Sequence, residues 1–305
     1  MRHLNTFFRA SPTPPINFVT IPSMKKWVSG LFAVFFLAGC TAHRIFYFPD
    51  SKLYVDPDKL GLAYEVVTYP SLNGKQLVGV YFKAEGPAVG TVVHCHGNAH
   101  NVSDHFPLAL FLRKGGFDVL CFDYQGFGAS EGRPSPEGTV EDAVASVRYA
   151  SARLAPGARG VVLFGQSLGV AVAVGAAVRE PSVKALVLEG GFNSYRVITR
   201  TVLRRSWILW PVSAILPPIL VRKTWDPDKI VAEISPRPLL FIHGTADRVV
   251  PAVLTERLFA RARDPKELWL IPGAGHLQCH RVAGAAYEEN IIDFYRRALG
   301  LTENN

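Results

Sequence analysis

A short apolar run leads into a serine flanked by glycines in the stretch Val161-Val162-Leu163-Phe164-Gly165-Gln166-Ser167-Leu168-Gly169. The four apolar residues, two of them β-branched, predict a fully buried parallel strand. The small apolar residues 170–177 that follow predict a buried helix. A strand that passes into a helix at Gly-x-Ser-x-Gly places its serine on a sharp turn, so we expect the hydroxyl of Ser167 to stand clear of the sheet.

The two glycines and the helix start have physical roles in this turn. Gly165 and Gly169 lack the Cβ atoms that would clash where strand and helix nearly touch. The amide of Leu168 lies at the predicted helix N-terminus, where free N–H groups and the helix dipole favour an anion. A chance match in a glycine-rich helix start is the alternative, because three fixed positions are a weak signal on their own. The flanking strand and helix favour the turn.

Strands alternate with helices through the rest of the chain. Buried strands are predicted at 91–95, 117–122, 183–188, 238–243 and 266–271, and helices at 106–114, 139–154, 253–263 and 284–299. An Asn-Gly turn at 73–74 predicts a β-hairpin ahead of them. The alternation predicts an α/β fold with a mostly parallel central sheet, helices on both faces, and ligands beyond the carboxyl ends of the strands.

The N-terminal part of the chain has the layout of a secretory signal. Lys25 and Lys26 precede about a dozen apolar residues, and small residues follow. The apolar run is shorter than the roughly 20 residues that span a bilayer. The residues Leu37-Ala38-Gly39-Cys40 resemble the lipobox of bacterial lipoproteins, in which the signal peptidase cuts before the cysteine and lipid is attached to it.

This resemblance implies a domain boundary and a location. Residues 1–39 are then an N-terminal extension and lipoprotein signal peptide, and residues 40–305 are the mature domain with Cys40 as its lipidation site. The signal begins at Met24, so the true start is either this methionine or the first one. Thr41 stands where aspartate would favour inner-membrane retention, which implies a lipid-anchored protein of the bacterial cell envelope, on the periplasmic side of the outer membrane in a Gram-negative cell. An uncleaved anchor helix is the alternative.

The net charge does not indicate a nucleic-acid partner. The chain has a formal charge of +8, from 33 Lys and Arg against 25 Asp and Glu. Residues 1–39 contain four of the basic residues and none of the acidic ones, which leaves +4 for the rest. No Lys/Arg-rich run marks a nucleic-acid patch. The membrane, reached through the lipid anchor, is the predicted macromolecular partner.

Three cysteines remain besides the lipidation site. Cys95 and Cys121 lie in predicted strands, and Cys279 lies near the C-terminal loop. Three thiols cannot all pair, so we expect buried free cysteines. A Cys95–Cys121 disulfide is the alternative, since the two strands are candidates for neighbours.

Residues 193–229 interrupt the alternation of strands and helices. This segment combines Trp207 and Trp210 with several prolines and arginines. Two interpretations stand side by side, a small lid of short helices over the site and an ordinary packed excursion. Its tryptophans, leucines and arginines also fit contact with a membrane interface.

Two later strand ends supply partners for the serine. A serine nucleophile needs a base, and the base needs an orienting carboxylate. Asp247 follows His-Gly-Thr-Ala at one strand end, and His276 follows Pro-Gly-Ala-Gly at the last one. The chain order is therefore serine, aspartate, histidine, which is one of the known orders of this triad.

With these motifs the chain resembles the α/β-hydrolases of the serine aminopeptidase-like group. The motifs that carry the resemblance are His96-Gly97-Asn98-Ala99, Asp123-Tyr124-Gln125-Gly126-Phe127-Gly128-Ala129-Ser130, the Gly-x-Ser-x-Gly turn, His243-Gly244-Thr245-Ala246-Asp247 and Gly275-His276. They are specific for the fold and the triad and weak for the substrate. Gln125 stands where relatives often carry arginine, so Asp123 is interpreted as a structural turn residue.

The resemblance implies a role for each site residue. Ser167 is the nucleophile, His276 is the general base and then the acid, and Asp247 holds the imidazole tautomer. The oxyanion hole is formed by the amides of Leu168 and Asn98, with the residue after Asn98 as the alternative second donor. The resemblance implies no cofactor and no metal.

Other residues compete for parts of the site. Four histidines within 94–105 point toward a metal, but no acid or thiolate set completes a zinc site beside them. A hydrogen-bonded strand-end histidine is the alternative. The histidines are His94, His96, His100 and His105, and the remaining competitors are Asp226 and Asp228 for the triad acid, Glu189 as a strand-end carboxylate, and His280 for the base. Asp226 and Asp228 are better interpreted as a helix start.

The predicted function is a membrane-anchored serine hydrolase that cleaves an ester, thioester or amide of a small or lipid-like acyl group through an acyl-enzyme. Carboxylesterase is the leading activity, and peptidase and acyl-protein thioesterase are alternatives within the fold. A lipid-anchored binding protein without turnover and a soluble cytoplasmic hydrolase are alternatives of other kinds. Serine at position 167 argues against haloalkane dehalogenases and epoxide hydrolases, which resemble this fold but use aspartate there.

Overall fold

The computed structural model describes residues 45–221 and 226–301. The predicted signal segment and the lipidation site Cys40 lie outside the described residues. Within these two ranges, no helix combines the length and the apolar character needed to cross a bilayer.

Eight strands form one central sheet in the described part of the chain. In chain order the strands are β1 (Phe48–Pro49), β2 (Glu65–Pro70), β3 (Gln76–Phe82), β4 (Gly90–Cys95), β5 (Ala99–His100), β6 (Phe117–Phe122), β7 (Val161–Gln166), β8 (Leu186–Glu189), β9 (Leu239–Gly244) and β10 (Lys266–Ile271). The sheet order is β10-β9-β8-β7-β4-β6-β3-β2, and β1 pairs separately with β5. Strand β3 runs antiparallel to both β2 and β6, whereas the other pairs are parallel.

Helices connect the strands and cover the sheet. The α-helices are α1 (Val102–His105), α2 (Pro136–Ala152), α3 (Leu168–Arg179), α4 (Tyr195–Leu203), α5 (Leu216–Leu220), α6 (Pro227–Ile230), α7 (Ala252–Arg261), α8 (Cys279–Ala283) and α9 (Ala285–Ala298). Short 3₁₀ helices lie at Phe106–Leu108, Leu110–Gly115, Trp210–Val212 and Val231–Ile234. The predicted α/β-hydrolase fold class, with a mostly parallel sheet covered on both faces, is confirmed.

The predicted hairpin and parallel strands are present because their sequence signals are local. Gly74 has φ +82°, the left-handed conformation that glycine adopts without strain, and it lies in the turn between β2 and β3. The strands β4, β6, β7 and β9 are buried along their whole length, as expected for strands covered on both faces.

The single helix predicted over 106–114 is wrong in detail. The structure has the short helix α1 followed by two 3₁₀ turns, Phe106–Leu108 and Leu110–Gly115. Pro107 lies in the first of these turns, where it has no amide hydrogen to continue an α-helical ladder. The predicted glycine stop is correct, since Gly116 ends the segment at φ +82°.

Two apolar layers pack on opposite faces of the sheet. One contains α2, α3 and α7, and the other contains α9 and the 3₁₀ turns after α1. Cys95 belongs to the first layer and Cys121 to the second. Their strands are neighbours, but His94 is the residue paired with Cys121, so the two thiols point to opposite faces. The alternative of a Cys95–Cys121 disulfide is therefore wrong. Cys95, Cys121 and Cys279 are free and buried, as expected.

The sheet order places the site residues at one edge. Strand β7 ends at Gln166, directly before Ser167, β9 ends shortly before Asp247, and β10 ends shortly before His276. Because β7, β8, β9 and β10 are parallel neighbours, their carboxyl ends meet at the same edge of the sheet. Three residues that are distant in sequence are thus brought together by topology.

Candidate active site

Ser167 occupies a strained turn between β7 and α3. Its backbone has φ 55° and ψ −115°, which a residue with a side chain rarely adopts and which costs about 1–3 kcal/mol. A Cβ on Gly165 would lie 2.6 Å from the carbonyl oxygen of Gly169, and one on Gly169 would lie 1.9 Å from that of Cys95. Both positions therefore require glycine, and the predicted turn is confirmed.

The structure brings Ser167, His276 and Asp247 into one hydrogen-bonded chain. The Ser167 hydroxyl donates to His276 Nε2 at 3.0 Å, and His276 Nδ1 donates to Asp247 Oδ2 at 2.7 Å. The serine is only 8% exposed and the Asp247 side chain is buried, whereas the imidazole is partly exposed. This arrangement can remove a proton from the hydroxyl while the carboxylate fixes the imidazole tautomer.

Asp247 is surrounded by hydrogen-bond donors. The amides of Val249 and Val250 donate to Oδ1 at 2.7 and 2.9 Å. Burial alone would raise the pKa of Asp247. The hydrogen bonds from His243 and His276, with the Val250 amide, outweigh burial and hold this pKa below its usual value. The carboxylate is therefore charged when it faces His276.

His243 lies against the same carboxylate, and the sequence motifs implied no role for it. His243 is fully buried on β9, and its Nε2 lies 3.2 Å from Asp247 Oδ2 and 2.9 Å from the Val250 carbonyl oxygen. Both neighbours accept hydrogen bonds, so Nε2 carries the hydrogen. Nδ1 lies 2.7 Å from the Thr255 hydroxyl. The i,i+4 spacing within His243-Gly244-Thr245-Ala246-Asp247 was the available signal, but only the bend after β9 shows that the two side chains meet.

A cavity of about 450 Å³ opens at the serine. Ser167, Leu168 and Asn98 contribute to its wall, so both residues implied for the oxyanion hole line the same cavity as the serine. Leu168 is the first residue of α3, whose first amides have no partner within the helix. The rest of the wall is formed by Thr199 and by the apolar residues Ile45, Phe46, Phe48, Phe192, Ile198, Val202, Leu203, Val249 and Val250. The cavity suits an apolar group attached to a carbonyl.

Part of that wall comes from the segment 193–229, where a lid was predicted. Helix α4 supplies Ile198, Thr199, Val202 and Leu203 to the cavity. Helix α5 packs against α4, and Arg196 Nε donates to the Val221 carbonyl oxygen at 3.1 Å. The short helices expected in this segment are present in its described part.

The comparisons with known proteins agree with this geometry. The family model described as serine aminopeptidase, S33, matches residues 86–235. The uncharacterized protein YfhR of Escherichia coli K12 is 34% identical over 295 residues, which cover 92% of this chain and 99% of YfhR. The chain belongs to the α/β-hydrolase superfamily. Another relative, the alpha/beta hydrolase domain-containing protein WAV2 of Arabidopsis thaliana, is 30% identical over 81% of this chain and 83% of WAV2.

Solved structures show the same α/β-hydrolase fold. The esterase Pf2001 of Pyrococcus furiosus superposes with a TM-score of 0.68 over 84% of this chain and 98% of that chain, at 20% sequence identity. At this identity the likeness concerns the fold. Together with the family match, it supports a hydrolase.

The four histidines within 94–105 of this hydrolase are held by protein partners. His94 Nε2 lies 2.9 Å from Gln166 Oε1, His96 Nδ1 donates to the Gly97 carbonyl oxygen, and His105 Nε2 donates to that of Ala99. His100 Nδ1 pairs with Asp104. Within the described ranges, no group of three or more His, Cys, Asp or Glu is placed to hold a metal ion.

The competing candidates for the triad lie elsewhere. Asp226 precedes α6, as expected for a helix start, and its Oδ1 accepts from the Tyr195 amide. Asp228 pairs with Asn193, and His280 pairs with Glu288 at 2.9 Å. Glu189 Oε2 accepts from Gln166 and from the Tyr287 hydroxyl beneath the serine turn.

The residue that replaces arginine after β6 has its own partner in this hydrolase. Gln125 Nε2 donates to Asp142 Oδ1 at 2.6 Å, and the Gln125 amide donates to Oδ2 at 2.8 Å. Burial raises the pKa of Asp142 to about 6, and these hydrogen bonds limit the rise. A neutral amide therefore satisfies a buried carboxyl here, where an arginine would require a full ion pair.

Proposed function

We propose that this chain is a serine hydrolase that cleaves a carboxylic ester through an acyl-enzyme, with Ser167 as nucleophile. The observation that carries the proposal is the chain of 3.0 and 2.7 Å hydrogen bonds from Ser167 through His276 to Asp247. An intact triad on a strained serine turn favours turnover over a binding role on the same fold.

The reaction proceeds in two steps. The Ser167 oxygen attacks the ester carbonyl as its proton passes to His276 Nε2, and the resulting imidazolium is stabilised by the charged Asp247. Collapse of the tetrahedral intermediate breaks the bond to the alcohol, which leaves with the proton from His276. Water then gives a proton to His276 as it attacks the acyl carbonyl. Collapse of this second tetrahedral intermediate breaks the bond between the acyl group and the Ser167 oxygen, which takes the proton back from His276 as the carboxylic acid leaves.

Two amides are assigned to the negative oxygen that forms in each step. The Leu168 amide lies at the start of α3, where the helix dipole favours negative charge. Asn98 lines the cavity opposite, next to Gly97, where a Cβ would lie 3.9 Å from that of Ser167. Removal of one such donor typically lowers turnover by about 10²–10³-fold.

The cavity favours an apolar acyl group over a peptide. Its wall is almost entirely aliphatic and aromatic, and among the described residues no Asp, Glu, Lys or Arg side chain lines it. A relative in fold is named an esterase. Acyl-protein thioesterase remains the second candidate, because a thioester presents the same carbonyl and the same apolar chain.

We also propose attachment to the bacterial envelope through Cys40. The support is the Leu37-Ala38-Gly39-Cys40 motif behind a short apolar run. Metabolic labelling with an alkyne palmitate analogue tests this directly. The wild-type chain should be labelled, and Cys40→Ser should lose the label; equal labelling of both would contradict the lipid site.

Hydrolysis of p-nitrophenyl butyrate tests the enzymatic proposal. The wild type should turn over the ester, and Ser167→Ala and His276→Ala should each lower kcat by at least about 10³-fold. His280→Ala is the matched control, since this exposed histidine lies outside the triad. Equal background rates for the wild type and all three variants would favour a binding protein on a hydrolase fold.

A further inference from the structure

An exposed apolar ridge lies beside the mouth of the cavity. Eight of the fifteen large apolar side chains that are exposed in the described part of the chain fall within residues 202–219. They are Val202, Trp207, Ile208, Leu209, Trp210, Val212, Ile215 and Ile219, with Trp207 86% exposed. Such a concentration in one short segment marks an interaction surface, because isolated exposed apolar residues are ordinary and clusters are not.

The ridge, residues 202–219, is held in place by packing. Helix α5 packs against α4, and the turns between them point their tryptophans outward. Pro217 and Ser213 are buried within the segment, which fixes it on the domain. The ridge is therefore a defined surface feature.

The charges around the ridge favour an anionic lipid surface. Residues 195–221 contain four arginines and no acidic residue. Arg196, Arg200, Arg204 and Arg205 are all exposed. Tryptophan is enriched at membrane interfaces, and exposed cations next to it attract anionic headgroups. A partner protein of ordinary surface composition would not require this combination.

The ridge continues into the cavity wall. Val202 is exposed and also lines the cavity, and so do Ile45 and Phe48 from the start of the described chain. An acyl chain that left a lipid layer at the ridge would meet a mostly apolar wall on its way to Ser167.

The chain itself limits how far this mouth can lie from the membrane. Ile45 is five residue steps after Cys40, and an extended chain of that length spans at most about 18 Å. If Cys40 carries lipid, the cavity mouth is tethered within reach of the bilayer surface.

We infer that residues 202–219 dock into the surface of an anionic bilayer, so that the hydrolase draws its acyl ester from the membrane. This inference rests on the proposed function for the choice of substrate but not for the docking itself. The occupant of the ridge is lipid, not a second copy of this chain.

Photocrosslinking tests the docking without catalysis. The full-length Ser167→Ala chain is reconstituted in phosphatidylcholine–phosphatidylglycerol vesicles that contain a phosphatidylcholine with a diazirine in its acyl chain, and adducts are mapped by mass spectrometry. Adducts should appear within 202–219 and be absent around Leu60 and Leu72, which are exposed but do not line the cavity. Adducts confined to the N-terminal segment would overturn the inference. It would also be overturned if the chain self-associated with increasing protein concentration and residues 202–219 carried no lipid adducts.

Kinetics test its consequence for the substrate. The ratio of activity on a long-chain ester dissolved in vesicles to activity on soluble p-nitrophenyl butyrate should fall about tenfold in Trp207→Ser/Trp210→Ser. The matched control Leu60→Ser/Leu72→Ser should keep the ratio within about twofold. An unchanged ratio in the tryptophan variant overturns the inference. Failure of the proposed function would be visible separately, because the wild type and Ser167→Ala would then hydrolyse the soluble ester at the same rate.

Discussion

Two buried aspartates at the same edge of the sheet behave in opposite ways. Asp123 follows β6 and Asp247 follows β9, and each has a histidine nearby. Burial raises the pKa of Asp123 to about 8, which the single amide of Val102 only partly offsets. The pKa of Asp247 lies below its usual value although it too is buried.

The difference lies in the number of donors that face each carboxyl. Asp247 receives two amides, His276 and His243. Asp123 Oδ1 accepts from the Val102 amide, His96 Nε2 is 3.7 Å away, and Asp123 Oδ2 has no hydrogen-bond partner in the described structure. Burial therefore disfavours the charged form of a carboxyl unless hydrogen-bond donors face it, and among these two aspartates the donors face the one that pairs with His276.

The largest expected loss of kcat follows from replacing Asp247, the aspartate that faces His276. Asp247→Asn keeps the shape but removes the charge and allows the wrong imidazole tautomer, so kcat for ester hydrolysis should fall about 10³–10⁴-fold. Asp123→Asn is the matched control and should keep kcat within about threefold, because Asn can still accept from the Val102 amide. Equal losses in the two variants would erase the proposed distinction.

A smaller effect is expected when one donor of Asp247 is removed. His243→Phe should lower kcat/KM about tenfold, because the carboxylate loses a hydrogen bond that favours its charged form. His243→Gln offers an amide donor and should recover part of the loss. The acid limb of the pH–rate profile should move to higher pH in the phenylalanine variant alone. Identical profiles for both variants would show that His243 acts only by packing.

The smallest effect concerns stability against pH. Folded Asp123 stays protonated up to about pH 8, whereas it ionises near pH 4 when unfolded, so the folded state binds more protons in between and stability falls as pH rises. Asp247 has the opposite sign: its contribution is present above about pH 4 and is lost as pH falls through its lowered folded pKa. The Tm of the wild type should therefore fall more between pH 5 and pH 8 than the Tm of Asp123→Asn, by about 3 °C or more. The same slope as the wild type would contradict the raised pKa.

The sequence predicted the fold and the three candidate catalytic residues because their signals are local. A glycine-flanked serine after a buried strand strongly favours a sharp strand-to-helix turn, and the close contacts at Gly165 and Gly169 show why this turn needs glycine. Asp247 and His276 each follow a strand end, and parallel strands bring such ends together without further information.

The sequence could not predict contacts between side chains that only the folded chain brings together. The contact of His243 with Asp247 needs the bend after β9, and the contrast between Asp123 and Asp247 needs a count of donors. The helix predicted over 106–114 is replaced by α1 and two 3₁₀ turns, because Pro107 lacks the amide hydrogen that would continue the α-helical ladder of α1. The tryptophans of the ridge were visible in the sequence, but their exposure was not.

The most direct test of the central claim is the site of covalent labelling by a fluorophosphonate, because only an activated serine attacks the probe quickly. The wild-type chain should carry one adduct, on the peptide that contains Ser167, and labelling should be lost in Ser167→Ala and strongly slowed in His276→Ala. An adduct on another serine, or undiminished labelling of Ser167→Ala, would contradict the assignment of Ser167 as the nucleophile.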